Sequence, residues 1–345
     1  MAKGERRRKV TKRCTRCVLP DTYPGITFNQ SGICNLCLDW ENREEIDYVN
    51  QEEELKKIVE KHRKENKKSR YDCVLGVSGG KDSTYAMYYL SKLLKLKVLA
   101  VNFSVGFNSL TAQANILKAI DKLGIDLFTL RIEWEKLRRL YSIFLRHTGG
   151  LCIPCNTQKI KALKMCALTY GVKVIFSGVS RYDFGSVRYD LYTNESLKEV
   201  LSKEMSAQEI EEFLIPSSGR NEIKYYHLDR FVKWDQDKAV STIEKELGWK
   251  NPTKSPSQKG YYRFAYTDCD WFPMDCYLRR KSCGFDRLTM SNSIRVRKGE
   301  MTRTEALRRE TKVQKMGLPF CANKLLQRIG ISLKDIKGYD NVSML

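Results

Sequence analysis

A glycine-rich hexapeptide is the part of this sequence best suited to chemistry. It consists of Ser78, Gly79, Gly80, Lys81, Asp82 and Ser83. An apolar run precedes it and a helical pattern follows it, so it connects a buried strand to a helix. Backbone N–H groups of such a turn form a nest for an anion, and a helix N-terminus adds about half a positive charge. The two serines can donate to phosphate, Lys81 can meet its charge, and Asp82 can bind Mg²⁺. We therefore predict a phosphate site.

Four cysteines near the N-terminus have the spacing of a metal site. Cys14 and Cys17 form one C-x-x-C pair, Cys34 and Cys37 form another, and sixteen residues separate the pairs. This spacing is typical of zinc modules, in which four thiolates give a closed tetrahedral site. The intervening residues cannot form a core alone. We predict a structural Zn²⁺ in a zinc-ribbon-like module.

A third C-x-x-C pair, Cys152 and Cys155, lies near a predicted helix N-terminus and precedes a predicted strand. The helix dipole lowers thiol pKa values at such a position. Cys269, Cys276 or Cys283 could converge on this pair. Three cysteines can hold an iron–sulfur cluster such as [4Fe–4S], and two can act as a persulfide relay. Equally, these thiols can pack as small hydrophobes.

The elements that position these residues form a repeating strand–helix pattern. Strands are predicted at 71–77, 97–103, 126–132 and 172–178, with helices between them. Apolar strands alternating with helices indicate a doubly wound parallel sheet, covered by helices on both faces. In such α/β folds the ligand site lies at the carboxyl ends of the strands.

The chain divides into five predicted regions. They are a basic tail with the cysteine module (1–40), a connecting helix (41–70), the α/β domain (71–194), an insertion or lid (195–265) and a helical C-terminal region (266–345).

Composition and charge limit the functional classes. With 42% hydrophobic and 30% charged residues, the 345-residue chain is neither disordered nor collagen-like. It has no apolar run long enough for a transmembrane helix and no secretory signal, so we expect a cytoplasmic protein. The net charge of +21 favours an anionic partner, such as a nucleotide, nucleic acid or acidic protein.

The hexapeptide matches the SGGxDS loop of the PP-loop adenylating enzymes. That resemblance implies a HUP-type α/β domain that binds ATP, cleaves it between the α and β phosphates, and transfers AMP to an oxygen. It also implies that the second strand's end, at Val101, Asn102 and Phe103, lies beside adenine. Gly178, at the end of the fourth strand, then faces the nucleotide.

Three segments together resemble the N-acetyl sugar amidotransferases of surface-polysaccharide pathways, which convert an acetamido group to an acetamidino group. They are the cysteine module (CTRCVLPDTYPGITFNQSGICNLCLDW), SGGKDS and the C-terminal GFDRLTMSNSIRVRKGEMTRTEAL. The resemblance runs from residue 14 to about 310, except for about 195–260. It implies an AMP-forming C–N ligase that uses ATP, Mg²⁺ and a nucleotide-linked N-acetyl sugar. It also implies a glutaminase subunit that supplies ammonia, and a cyclase-like companion.

On this reading several residues become candidates for the reaction. Lys81, Asp82 and Asp268 are the catalytic candidates. Arg181, Tyr182 and Arg287 are the candidates for binding the sugar substrate. The chain has only three histidines, so an internal glutaminase is not expected.

A second resemblance remains open. The PP-loop, the N-terminal cysteines and the pair Cys152 and Cys155, with Cys269, also resemble enzymes that thiolate tRNA. The high positive charge suits tRNA. However, the G-H-N usual in those enzymes after the fourth strand is Gly-Val-Ser here.

Overall fold

The computed structural model describes most of the chain. The described residues are 10, 12–43, 46–65, 69–178, 193–217, 223–251, 264 and 268–337. Within them, five strands form one sheet in which every neighbouring pair is parallel. The strands are β1 (Cys73–Gly76), β2 (Val98–Phe103), β3 (Asp126–Leu130), β4 (Val174–Ser177) and β5 (Lys224–His227).

Helices connect and surround these strands. The α-helices of the described residues are α1 (Asn35–Glu41), α2 (Tyr48–Glu65), α3 (Lys81–Tyr88), α4 (Leu110–Leu123), α5 (Trp134–Thr148), α6 (Cys152–Thr169), α7 (Asn194–Leu201), α8 (Ala207–Glu211), α9 (Gln236–Leu247), α10 (Phe272–Cys283), α11 (Arg287–Arg297), α12 (Arg303–Gln314) and α13 (Ala322–Ile329). In the described ranges, none is both long enough and apolar enough to cross a membrane.

The strand order places a crevice beside β1. The order across the sheet is β3-β2-β1-β4-β5, so the chain moves outward from β1 to β3 and then returns to the other side of β1. Gly76 in β1 pairs with Val101 of β2 and with Ser177 of β4. The carboxyl ends of these strands therefore meet at the point where the winding direction reverses, which is where open α/β sheets bind ligands.

Both faces of the sheet are covered, which confirms the doubly wound fold. On one face, buried residues of α3, α4 and α9, among them Met87, Ile116 and Ile243, pack against the strands. On the other face, α6 contributes Ala162 and Ala167. The inner strands β1, β2 and β4 are mostly buried and apolar, because helices cover both of their faces.

Strand β5 and helix α9 come from the region expected as an insertion or lid. β5 lies parallel to β4, with Phe176 opposite Tyr226, and α9 packs on α3. The sequence analysis did not predict this strand. β5 is a half-exposed edge strand with the sequence KYYH, so it lacks the continuous apolar run that marks β1.

The N-terminal cysteine module packs against the helical C-terminal region. All four of its cysteines are buried, in one hydrophobic core with residues of α10 and α13. The Thr22 hydroxyl donates to the carbonyl oxygen of Cys283 at 2.6 Å. The Arg303 guanidinium donates through Nε to the carbonyl oxygens of Cys14 and Cys17, at 3.1 and 3.0 Å. The cysteine module and these C-terminal helices therefore share one hydrophobic core.

Candidate active site

The glycine-rich loop lies between the end of β1 and the start of α3. Gly80 is the N-cap of α3, which begins at Lys81. The backbone N–H of Ser78 donates to the Ser83 hydroxyl at 3.1 Å, and that hydroxyl donates to the carbonyl oxygen of Gly80 at 3.3 Å. The Ser83 side chain thus closes the turn at the N-terminus of α3. Backbone N–H groups and the helix dipole at such a position favour binding of an anion.

Two glycines permit backbone contacts that no other residue would allow. Gly79 has φ +78°, and a Cβ on it would lie 2.0 Å from the carbonyl oxygen of Ala112 in α4. A Cβ on Gly178, just after β4, would lie 2.7 Å from the carbonyl oxygen of Asp82. The loop is therefore pressed between α4 and the end of β4.

The Asp82 carboxylate is held by two donors. The Lys81 ammonium donates to Asp82 Oδ2 at 2.6 Å, and the Trp234 indole N–H donates to Oδ1 at 3.0 Å. Lys81 is mostly buried, with 8% of its surface exposed. Carboxylate oxygen is the ligand that Mg²⁺ prefers, so the fixed Asp82 can serve as one ligand of a phosphate-bound ion.

A cavity of about 760 Å³ opens at the carboxyl ends of the strands, a volume that suits a small-molecule ligand. The sequence-predicted residues that line it are Ser78, Gly80, Lys81, Asp82, Ser83, Val101, Asn102, Phe103, Cys152, Cys155, Gly178, Asp268, Cys269 and Arg287. The Asp268 carboxylate carbon lies 3.6 Å from the position that a Cβ on Gly80 would occupy, so it borders the loop. The structure brings these residues together, and their roles stay predictions.

The third cysteine pair lies in the first turn of α6, which begins at Cys152. Burial raises the pKa of Cys152 to about 11, with Asp275 as the second cause. Burial also raises the thiol pKa values of Cys155 and Cys269, although the Lys159 ammonium opposes this at Cys155. Because only a thiolate is a strong nucleophile, these thiols are not activated in the structure as it stands.

Cys152, Cys155 and Cys269 do not form a compact set of donors for a single metal ion. In the described ranges, the one group of three or more metal-ligating residues with donor atoms close together is the N-terminal set. Cys152 Sγ instead lies 3.5 Å from Asp275 Oδ1 and 3.4 Å from Arg287 Nη2. Cys276 and Cys283, the other cysteines considered, do not line the cavity.

A buried carboxylate orients two arginines in the cavity wall. Asp275 Oδ2 accepts hydrogen bonds from Arg279 Nε at 2.9 Å and from Arg287 Nε at 2.8 Å. Asp275 is 1% exposed and Arg279 is 2% exposed. Charge-assisted bonds of this kind fix the guanidinium planes, so Arg287 faces the cavity in a set orientation.

The four N-terminal cysteines fit a metal ion. All are free thiols, all are buried, and their Sγ atoms lie within 4.8 Å of one another. Hydrogen bonds from the other three thiols, that of Cys17 first, hold the pKa of Cys14 well below its usual value. Four sulfur donors this close together suit a closed tetrahedral metal site, and the lowered pKa of Cys14 favours its thiolate, the form that binds metal.

Some site residues fall outside the sequence prediction or outside the described residues. Arg181 and Tyr182 lie outside the described residues. The sequence analysis missed the cavity-lining residues Lys159, Asp275, Arg279, Arg295 and Lys298. Their spacing carries a usable signal, because positions three or four apart share a helix face. Lys159 follows Cys155 by four residues, and Arg279 follows Asp275 by four.

No family model matches the chain. Among curated proteins it is similar to "Uncharacterized protein MJ1599" from Methanocaldococcus jannaschii, with 27% identity over 169 residues. That match covers 48% of this chain and 58% of the relative, so the chain spans little more than half the length of the curated relative it matches.

Two solved structures are similar in outline. The NMN synthetase from Francisella tularensis aligns with a TM-score of 0.41 and 15% identity, over 84% of this chain and 98% of the other. The U34-tRNA thiolase NcsA from Methanococcus maripaludis, solved with its [4Fe-4S] cluster, aligns with a TM-score of 0.38 and 15% identity, over 89% of each chain. With TM-scores below 0.5, these likenesses leave the function to be argued from the site itself.

Proposed function

We propose that this protein is an ATP-dependent amidotransferase that acts on a nucleotide-linked N-acetyl sugar. It adenylates the acetamido oxygen, and ammonia then displaces AMP to give an acetamidino sugar. An amide carbon resists attack by ammonia because its oxygen is a poor leaving group, and adenylation converts that oxygen into part of AMP. The protein is then an AMP-forming C–N ligase, with AMP and pyrophosphate as by-products.

The observation that carries this proposal is that the glycine loop and the C-terminal motif line the same cavity. Segment 284–300, part of the stretch that resembles the sugar amidotransferases, contributes Arg287, Arg295 and Lys298 to the cavity wall. Arginine and lysine are the side chains that recognise phosphates. A nucleotide-linked sugar carries phosphates on its carrier, so this wall suits the carrier while the sugar extends toward the loop.

The loop would bind the pyrophosphate part of ATP. Its N–H groups and the N-terminus of α3 stabilise phosphate charge, and Lys81 adds a full positive charge. Asp82 and Asp268, the carboxylates that border the loop, would hold Mg²⁺, and the ion offsets phosphate charge when bound. The task of these residues is to align the α-phosphate with the acetamido oxygen.

Ammonia would come from a separate glutaminase subunit, with a cyclase-like companion in the same pathway. Two of the three histidines in the chain are engaged away from the cavity: His147 pairs with Glu204 at 2.7 Å, and His62 is buried beside Glu65. The net charge of +21 favours an acidic partner surface. The four-cysteine module would hold a structural Zn²⁺.

The test is a reaction with ATP, an ammonium salt and a panel of nucleotide-linked N-acetyl sugars. We expect AMP release that depends on the sugar, and a product lighter by the difference between =O and =NH. Lys81→Ala should release no AMP while keeping the melting temperature of the wild type. AMP formation without any amidine product would contradict the proposal.

A second function, sulfur transfer to tRNA, is favoured by one observation. Cys152, Cys155 and Cys269 all line the cavity beside the loop. These three thiols would hold an iron–sulfur cluster with an open position, or two of them would act as a persulfide relay. Sulfur incorporation into tRNA by the purified protein, abolished by Cys155→Ser, would favour this function over amidination.

A further inference from the structure

The carbonyl oxygen of Gly79 faces away from the cavity and is held from behind by two donors. The Trp249 indole N–H donates to it at 3.0 Å, and the Asn115 side-chain amide donates to it at 3.3 Å. Both donors are buried, with 3% and 2% of their surfaces exposed. Gly80 lines the cavity, whereas Gly79 does not.

The orientation of this carbonyl determines where the next N–H points. The carbonyl of Gly79 and the N–H of Gly80 belong to one planar trans peptide, so they point in opposite directions. Donors that hold the carbonyl behind the loop therefore direct the Gly80 N–H toward the cavity side, where it donates a long hydrogen bond of 3.5 Å to the cavity-lining Ser78 hydroxyl. A Gly-Gly peptide without such donors rotates readily, because glycine adopts positive and negative φ about equally.

The residue that supplies the stronger donor is itself anchored. Helix α9 ends at Leu247, Gly248 caps it in the left-handed conformation, and Trp249 follows directly. Asn115 of α4 bonds to both backbone groups of Lys250: it donates to the carbonyl at 2.8 Å and accepts from the N–H at 3.0 Å. Trp249 is therefore held in two ways: its indole donates to the loop, and Asn115 holds the backbone of the next residue, Lys250.

A second indole acts at the other end of α9. Trp234 precedes this helix, and its N–H donates to Asp82 Oδ1 at 3.0 Å. Its ring packs edge-on against Tyr85, with ring centroids 5.1 Å apart. Trp234 and Trp249 therefore contact the same loop from the two ends of one helix.

We infer that Trp234 and Trp249 are positioning residues for the phosphate loop. Trp249 fixes the Gly79–Gly80 peptide with its N–H toward the anion, and Trp234 fixes the carboxylate of Asp82. Neither residue needs to touch the ligand. That this ligand is the pyrophosphate part of ATP rests on the proposed function, whereas the orientation of the loop does not.

The test uses the full chain with Trp249→Phe and Trp234→Phe. Each change removes the indole N–H and keeps an aromatic ring. Trp134→Phe is the matched control, because Trp134 packs on Phe107 and does not line the cavity. Calorimetric titration with pyrophosphate and, separately, with AMP distinguishes positioning of the loop from general packing.

We expect the dissociation constant for pyrophosphate to rise about tenfold in Trp249→Phe, the size of one lost hydrogen bond. AMP, which lacks the pyrophosphate group, should bind as in the wild type, and the control should match the wild type throughout. Trp234→Phe should weaken pyrophosphate binding only when Mg²⁺ is present.

Three other outcomes would overturn the inference. Unchanged pyrophosphate binding in both variants, with binding by the wild type, would show that the indoles do not position the loop. Equal losses for AMP and pyrophosphate would indicate a purely structural role. A wild-type protein that binds neither ligand would remove the proposed function together with this inference.

Discussion

Gly79 and Ala112 approach so closely that no side chain fits between them. A Cβ on Gly79 would lie 2.0 Å from the Ala112 carbonyl oxygen, and φ at Gly79 is +78°. We therefore expect Gly79→Ala to force the loop away from α4. The unfolding free energy should fall by more than about 2 kcal/mol, because backbone strain and a main-chain clash act together. ATP binding, measured by calorimetry, should be lost.

Gly124→Ala is the control for this change. Gly124 also has a positive φ, +61°, but no atom lies within 4 Å of an added Cβ. This variant should lose only about 1–2 kcal/mol from the left-handed conformation and should bind ATP normally. If both variants bind ATP like the wild type, the loop geometry described above is wrong.

Arg295, on the cavity face of α11, should matter for the sugar substrate and not for ATP. We expect Arg295→Gln to raise KM for the nucleotide-linked sugar by about tenfold or more, since one charge-assisted contact is worth roughly 1.5–3 kcal/mol. KM for ATP should stay unchanged. Arg309→Gln is the control, because Arg309 pairs with Glu305 and does not line the cavity. A parallel rise in both KM values would contradict the prediction that Arg295 contacts the sugar substrate and not ATP.

The four-cysteine module should contain one metal ion per chain. We expect Cys34→Ser to lose the metal and to lower the melting temperature, because metal binding supplies the folding free energy of such modules. Elemental analysis and calorimetric melting measure the two effects. Cys166→Ser, at a buried cysteine that packs against the sheet, should keep the metal content of the wild type. Metal-free wild-type protein with an unchanged melting temperature would contradict the site.

Stability should fall as pH rises from about 4.5 to about 7 because of Glu310. Burial raises the pKa of this carboxyl to about 7, although Arg13 opposes the shift, and Asp286 adds to it. A carboxyl with a raised pKa in the folded state binds its proton more tightly there than in the unfolded chain. Unfolding free energy should therefore decrease between about pH 4.5 and pH 7, by roughly 3 kcal/mol in total.

Glu310→Gln should remove this pH dependence and be more stable than the wild type above pH 7. Glu305→Gln, at a half-buried position on the same helix, should leave the pH profile unchanged. Urea unfolding at a series of pH values measures all three proteins. A wild-type profile that rises over this interval, or a Glu310→Gln profile identical to that of the wild type, would contradict the prediction.

The fold could be predicted from sequence wherever burial leaves an apolar run. Strands β1, β2 and β4 follow from such runs. The half-exposed strand β3 and the helices between the strands follow from the spacing of their apolar residues, and the loop follows from its position between β1 and α3. β5 could not be predicted, because its four residues KYYH include no aliphatic side chain, unlike the edge strand β3 with the sequence DLFTL. Trp249 and Asn115 were missed for another reason. They are separated by 134 positions in the chain, and only the packing of α9 on α3 and α4 brings them to Gly79.

The site was only partly accessible to sequence reasoning. Residues adjacent to a strand end, such as Asn102 and Gly178, could be placed because parallel strands end at one edge of the sheet. Asp275 and Arg279 could not, since nothing in the sequence of a C-terminal helix indicates which sheet edge it covers.

The central claim is that the acetamido oxygen of the sugar becomes bonded to AMP. A nucleotide-linked N-acetyl sugar labelled with heavy-isotope oxygen in its acetamido carbonyl tests this most directly. The protein is supplied with ATP and ammonium, and the released AMP is analysed by mass spectrometry. We expect one labelled oxygen in the phosphate of AMP, an unlabelled amidine product, and no AMP from Lys81→Ala. Unlabelled AMP, or a product that keeps the labelled oxygen, would contradict adenylation of the acetamido group.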